Sequence, residues 1–231
     1  MTLAWFSVRS VSQWLVQISL AVSFLEKLLR SKAVVWTLIV LPGLWPVWPI
    51  FIRPDASVLA DPLKFVLHHL GFTACLLLAT VLTFTPLRVL FPKWGVALAL
   101  NRHRRLVGVS ACIYAALHFT THLIYEGGTD VSAIPGILAT ALKKPFQLTG
   151  LIMLAILVVL AITSLHALVR WLGGKRWKWL HRLAYAAAVL AAYHQAAARK
   201  VFPQQVLWIF VPLAVLELAR LAKQFTQRPA R

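Results

Sequence analysis

Acidic residues are scarce in this chain: six Asp and Glu stand against 24 Lys and Arg in 231 residues, for a formal net charge of +18. Such a balance suits nucleic acid when the basic residues gather on a soluble face. Here they fall in short clusters between long apolar runs, which argues against that partner. Cysteine is almost missing, and Cys75 and Cys112 lie inside apolar runs without CxxC or metal-ligand spacing, so both read as packing residues. No G-x-G-x-x-G and no P-loop occurs, which leaves no sign of a nucleotide-binding domain. Residues 1–30 lack a short apolar h-region with a small-residue cleavage site, so this segment is expected to be retained.

Hydrophobicity is what the chain has in excess. Apolar residues make up 60% of it and the mean hydropathy is +0.77, far above a soluble domain of this size. Six segments are long and apolar enough to span a bilayer: 33–52, 65–86, 106–125, 147–171, 179–199 and 203–222. Residues 3–30 mix Trp5, Phe6, Trp14, Leu15, Ile18 and Phe24 with Arg9, Gln13, Gln17 and Glu26, the composition of a helix lying in the interface. The expected fold is an all-α integral membrane protein, a six-transmembrane-helix bundle with an N-terminal interfacial helix. Its divisions are an N-terminal segment at 1–32, the membrane domain at 33–222 and a tail at 223–231.

Charge over the connections sets the orientation. With the N-terminus inside, the cytoplasmic parts are 1–32 (+3), 87–105 (+5), 170–182 (+5) and the tail from Glu217 (+3). The outer parts are 53–64 (0), 126–146 (0) and 199–204 (+2). Basic loops stay on the cytoplasmic side, so both termini are expected there. The tryptophans agree: Trp45 and Trp48 in "LPGLWPVWPIF" mark one water interface, and Trp171, Trp177 and Trp179 the opposite one.

Eight histidines then call for an explanation, because an ionisable group inside a bilayer is costly and is a functional candidate by default. His118 lies twelve residues above the cytoplasmic start of the third span, about 18 Å at helical rise. His194 lies fourteen residues above the start of the fifth, about 21 Å. Two imidazoles on different helices at nearly one depth are what a haem with two axial histidines needs. The alanines around His194, in "AAAVLAAYHQAAA", leave room for a flat plate or else serve close helix packing. His122 shares the face of His118 one turn higher, so periodicity does not exclude it as the ligand. His181, thirteen residues before His194 and about 140° around the helix from it, has three open roles. It could serve a second haem, bind a quinone headgroup or snorkel at the surface. His68, His69, His103 and His166 are expected in interfacial or packing roles.

The stretches "AALHFTTH" and "WLHRLAYAAAVLAAYH", with "DPLKFVLHHLG", "LLATVLTFTPLRVL" and "RRLVG", resemble the ferric reductase-like transmembrane family. Within that family they resemble the haem-binding membrane subunits of bacterial methionine sulfoxide reductase systems, from about residue 30 onward. The resemblance implies haem b and FMN as cofactors, and His118, His194 and His181 as candidate iron ligands. The family's fourth ligand position falls on Arg104, which with Arg105 would then meet a haem propionate, a flavin or a quinone. It further implies electrons drawn from the quinone pool and passed to a periplasmic molybdopterin-containing subunit that reduces methionine sulfoxide, which places the chain in the bacterial inner membrane. Rival expectations are a ferric or cupric reductase component and, in another class, a proton- or metal-translocating transporter.

Overall fold

The structure is a computed structural model, and it describes residues 8–227. Trp5, Phe6 and the last four residues of the expected tail lie outside the described residues. The chain runs through α1 (Val8–Arg30), α2 (Lys32–Leu44), a π-helical turn (Trp48–Ile52), α3 (Ala56–Leu59), α4 (Pro62–Leu90) and α5 (Gly95–Arg102). It continues through α6 (Arg104–Gly127), a 3₁₀ turn (Val131–Ala133), α7 (Ile134–Lys143), α8 (Pro145–Ile162), α9 (His166–Leu180), α10 (Leu183–Ala197) and α11 (Gln205–Thr226). Among the described residues there is no strand.

Among the described residues four helices are long and apolar enough to cross a membrane: α4, α6, α8 and α11. The expected first and fifth spans fall on shorter helices of 13 and 15 residues, α2 and α10. In the first case the π-helical turn carries the chain on to Ile52. The fourth span differs more. Sequence hydropathy runs it to residue 171, whereas α8 stops at Ile162. The reason is local: Thr163 Oγ1 donates to Val159 O at 2.7 Å and Ser164 Oγ to Leu160 O at 2.8 Å, side-chain bonds that compete with helix continuation. Trp177 Nε1 then takes up the freed Thr163 carbonyl at 3.0 Å. His166 therefore opens α9 instead of ending a span, and α9 is itself broken at Gly173, whose φ of 72° suits glycine.

Caps mark the other ends. Asp61 Oδ1 accepts from Lys64 N at 3.0 Å with Pro62 in the first turn of α4. Gly128, at φ 62°, closes α6 by donating to Ile124 O at 2.8 Å. In the loops, the Ser57 and Ser132 hydroxyls and amides hold the Asp55 and Asp130 carboxyls below their ordinary range.

The core lies where α4 packs on α6 and α11, and α8 on α10. Ala111, Ala187 and Ala191 have no exposed surface, so their helices approach closely, as small residues allow. Lys223 of α11 donates to Val89 O and Leu90 O, carbonyls at the end of α4 that have no helical partner. α1 packs along α5 and leaves Trp14, Leu15, Ile18 and Phe24 exposed.

Proline explains one histidine. Pro46 has no N–H for the carbonyl four residues back, and Pro42 O is met instead by Trp45 N at 3.2 Å and by His69 Nε2 at 2.5 Å. His69→Leu is expected to lower stability by about 1–2 kcal/mol. Equilibrium unfolding in mixed detergent micelles measures this, and the loss should shrink in a Pro46→Ala background, where residue 46 regains its N–H.

Candidate functional site

α6 and α10 face each other between α4 and α8, and they bring His118 and His194 together. The ring centroids are 6.1 Å apart and the planes stand at 84°. His118 Nδ1 lies 2.8 Å from Leu67 O on α4, and His194 Nδ1 lies 2.6 Å from Phe146 O on α8. A carbonyl can only accept, so both Nδ1 atoms are the N–H donors and each Nε2 is the nitrogen left with a lone pair.

Both anchors share one local design. Four residues beyond each accepting carbonyl stands a glycine, Gly71 after Leu67 and Gly150 after Phe146. A Cβ at Gly71 would lie 2.9 Å from His118 Nδ1, and one at Gly150 would lie 2.8 Å from His194 Cε1. The missing side chain is what lets each ring reach the backbone. The same arrangement holds Tyr114, whose hydroxyl donates to Ile39 O at 2.7 Å beside Gly43. Sequence reasoning passed over these glycines; the signal was a lone Gly inside an apolar helix, which costs stability unless something approaches it closely.

The two rings border a chamber of about 200 Å³, walled by Leu67, Ala115, Phe119, Gly150, Leu154 and Ala198. His68, His122, Glu126 and Gln147 line it as well. His122, the alternative ligand by periodicity, lines the same chamber, while His118 stands opposite His194. Of the alanines around His194, Ala187, Ala188 and Ala191 are buried in the helix core, while Ala198 borders the chamber.

His181 lies elsewhere. It shares a second cavity of about 300 Å³, toward the end of the bundle that carries the basic loops, with Arg104, Arg105, His166, Trp177 and Tyr185. Its ring lies against Trp177 at 4.0 Å and 30°, and its Nε2 is 3.3 Å from Thr163 Oγ1. Arg104 places its guanidinium 6.0 Å from the Trp177 ring centroid, a cation–π contact. Arg105 Nη1 lies 2.9 Å from His166 Nδ1, which gives His166 a partner that sequence alone did not supply. The three candidate iron ligands therefore separate into a facing pair and a single ring with two arginines. Among the described residues no group of three or more His, Cys, Asp or Glu gathers in a metal-binding cluster.

Residues 70–192, which include all of these histidines except His68, His69 and His194, match the family described as ferric reductase like transmembrane component. The chain belongs to the ferric reductase-like transmembrane family. Within it, the chain is similar to proteins named protein-methionine-sulfoxide reductase heme-binding subunit MsrQ. Those of Brucella ovis and Brucella abortus are each 36% identical over 186 residues, covering 80% of this chain and 80% of the relative.

Gly150→Ala should push the His194 ring off the Phe146 carbonyl. In ¹⁵N-histidine spectra this is expected to remove one hydrogen-bonded Nδ1–H signal. Gly108→Ala, whose Cβ would meet a single side-chain carbon at 3.9 Å, should leave the spectrum unchanged.

Proposed function

We propose that the chain is a membrane b-type cytochrome subunit that passes electrons from the quinone pool to a periplasmic molybdoenzyme reducing methionine sulfoxide. The observation that carries this reading is the facing pair of His118 and His194. Two axial imidazoles bound at roughly 2 Å from one metal place their ring centroids about 6 Å apart, and the measured separation is 6.1 Å. Each ring also offers the free Nε2 that ligation requires, with its tautomer fixed by a carbonyl on the far nitrogen. The residues present therefore fit haem b, which His118 and His194 would hold through their Nε2 atoms. Iron in such a site supplies one-electron chemistry, and the protein tunes it by ligand identity, burial and hydrogen bonding.

What the chain's own residues do follows from their places. The Leu67 and Phe146 carbonyls polarise the two Nδ1–H groups, which raises the basicity of the ligating nitrogens. The apolar chamber walls keep water from the pair. Arg104, Arg105 and His181 form the electron-entry side, with donors suited to a quinone oxygen or to the phosphate of FMN, the other cofactor the family resemblance implies. His181 in this reading is a ring contact of that cavity and not a third ligand to the outer iron.

We also take α2 with its π-helical turn, and α10 with its flanking turns, as spanning segments, which makes six. Both termini then lie in the cytoplasm, α1 lies along the inner-membrane interface, and the membrane domain runs over 33–222. The charge distribution supports this orientation: the basic loops fall at one end of the bundle.

The test is spectroscopic. Purified protein should show a reduced b-type absorption spectrum with haem bound to the chain. In His118→Ala and in His194→Ala the haem per chain should fall to about a tenth or less. His122→Ala should keep its haem. Full haem content in both ligand variants overturns the assignment, and so does a purified protein that takes up no haem at all.

A further inference from the structure

α9 joins the end of α8 to the start of α10, and not one of its 15 residues is buried. It carries Arg170, Lys175, Arg176 and Lys178, all exposed, and no acid. The chain has no acid anywhere between Asp130 and Glu217. The ion pairs among the described residues join Arg30 to Glu26 and Arg220 to Glu217, so the four cations of α9 are left unneutralised. Trp171 and Trp179 stand in the same helix, 79% and 68% exposed.

Charge alone or indole alone would have an ordinary reading; the two together do not. A basic helix that faces water gains nothing from exposed indoles, and a helix sunk among acyl chains would not carry four charges. Indoles beside Lys and Arg suit the headgroup layer, where the ring enters the acyl boundary and the cation meets phosphate. The position fits, because α9 follows directly on the membrane-length helix α8, at the end of the bundle that carries the basic loops.

Three contacts fix α9 to the rest of the protein and leave its cations outward. Arg105 Nη1 lies 2.9 Å from His166 Nδ1, Trp177 Nε1 donates to Thr163 O at 3.0 Å, and the Trp177 ring lies against His181. Gly173 breaks the helix between these anchors, so the segment with Lys175, Arg176, Lys178 and Trp179 takes its own direction. His166, Val169 and Trp177 belong to the wall of the cavity at His181, which makes α9 a boundary between that cavity and the surroundings.

We infer that α9 is a docking surface for anionic phospholipid, taking headgroups such as phosphatidylglycerol in preference to zwitterionic ones. Charge complementarity selects the occupant: four cations without a carboxylate match a headgroup of net negative charge. A phosphatidylcholine headgroup brings its own ammonium and offers no such match.

The experiment uses the full-length protein in nanodiscs of equal parts phosphatidylcholine and phosphatidylglycerol. Trp179 is replaced by photoactivatable p-benzoylphenylalanine, with Trp171 as a second labelling site, and mass spectrometry identifies the lipid attached after irradiation. Phosphatidylglycerol adducts should exceed phosphatidylcholine adducts about fivefold, the preference that one basic side chain confers beside an anionic surface. Raising NaCl from about 50 mM to about 500 mM should bring the ratio close to one, because exposed charges are then screened. Lys175→Gln combined with Arg176→Gln and Lys178→Gln should do the same at low salt. Lys143→Gln with Lys144→Gln, at the other end of α8, should leave the ratio unchanged. A ratio near one at low salt overturns the inference, and so does a ratio that survives high salt or the triple substitution. Attachment to a second copy of the chain, or no lipid adduct at all, also overturns it, since α9 would then face protein or water. The salt series needs no change among the cations, so it decides the question if the triple variant does not fold.

Discussion

Every ring N–H and phenolic O–H that a chain carries into hydrocarbon must end on an acceptor, because water is not there to receive it. In a helical bundle the acceptors at hand are backbone carbonyls, and those are already engaged along their own helices. Tyr114, His118 and His194 meet this constraint in one way, each reaching a carbonyl that has glycine four residues further on. The glycine opens the groove and the carbonyl's second lone pair takes the bond. With both imidazoles fixed in this manner the chamber between α6 and α10 has its shape, and the alternative donor His122 lines the same chamber.

Much of the helix content was legible in the sequence. Runs of about twenty apolar residues fall on α4, α6, α8 and α11, and the near-equal depths of His118 and His194 anticipated that they meet. Hydropathy fixes neither where a helix stops nor what faces what. Thr163 and Ser164 look like ordinary members of an apolar run, yet their hydroxyls end α8 eight or nine residues early and turn His166 toward Arg105. Gly71 and Gly150 were invisible because a glycine's function there depends on a ring contributed by another helix. Charge counting along the chain likewise says nothing of which side of a helix bears a group, and it did not show that the Glu217 carboxylate is closed off from solvent beside Arg220.

The cavities at His181 and at the His118–His194 pair lie at different levels of the bundle, and their linings differ in kind. The chamber at His118 and His194 has four histidines in a largely apolar wall, while the cavity at His181 has arginines, a tyrosine and two histidines, one of them stacked on an indole. Leu157 and Leu160 of α8 belong to the wall of the cavity at His181, and Leu151 and Leu154 of the same helix to that of the chamber. One helix thus serves both, and the two cavities share a wall about one turn thick.

The near-perpendicular setting of the two imidazole planes, 84°, has a consequence for magnetism. Each plane is dictated by a carbonyl on a different helix, so the angle belongs to the scaffold and not to whatever lies between the rings. Were an iron porphyrin held by this pair, as proposed, the crossed imidazole planes would leave it with two nearly equal orbital levels, and its paramagnetic signature would report how α4 and α8 are rotated about one another.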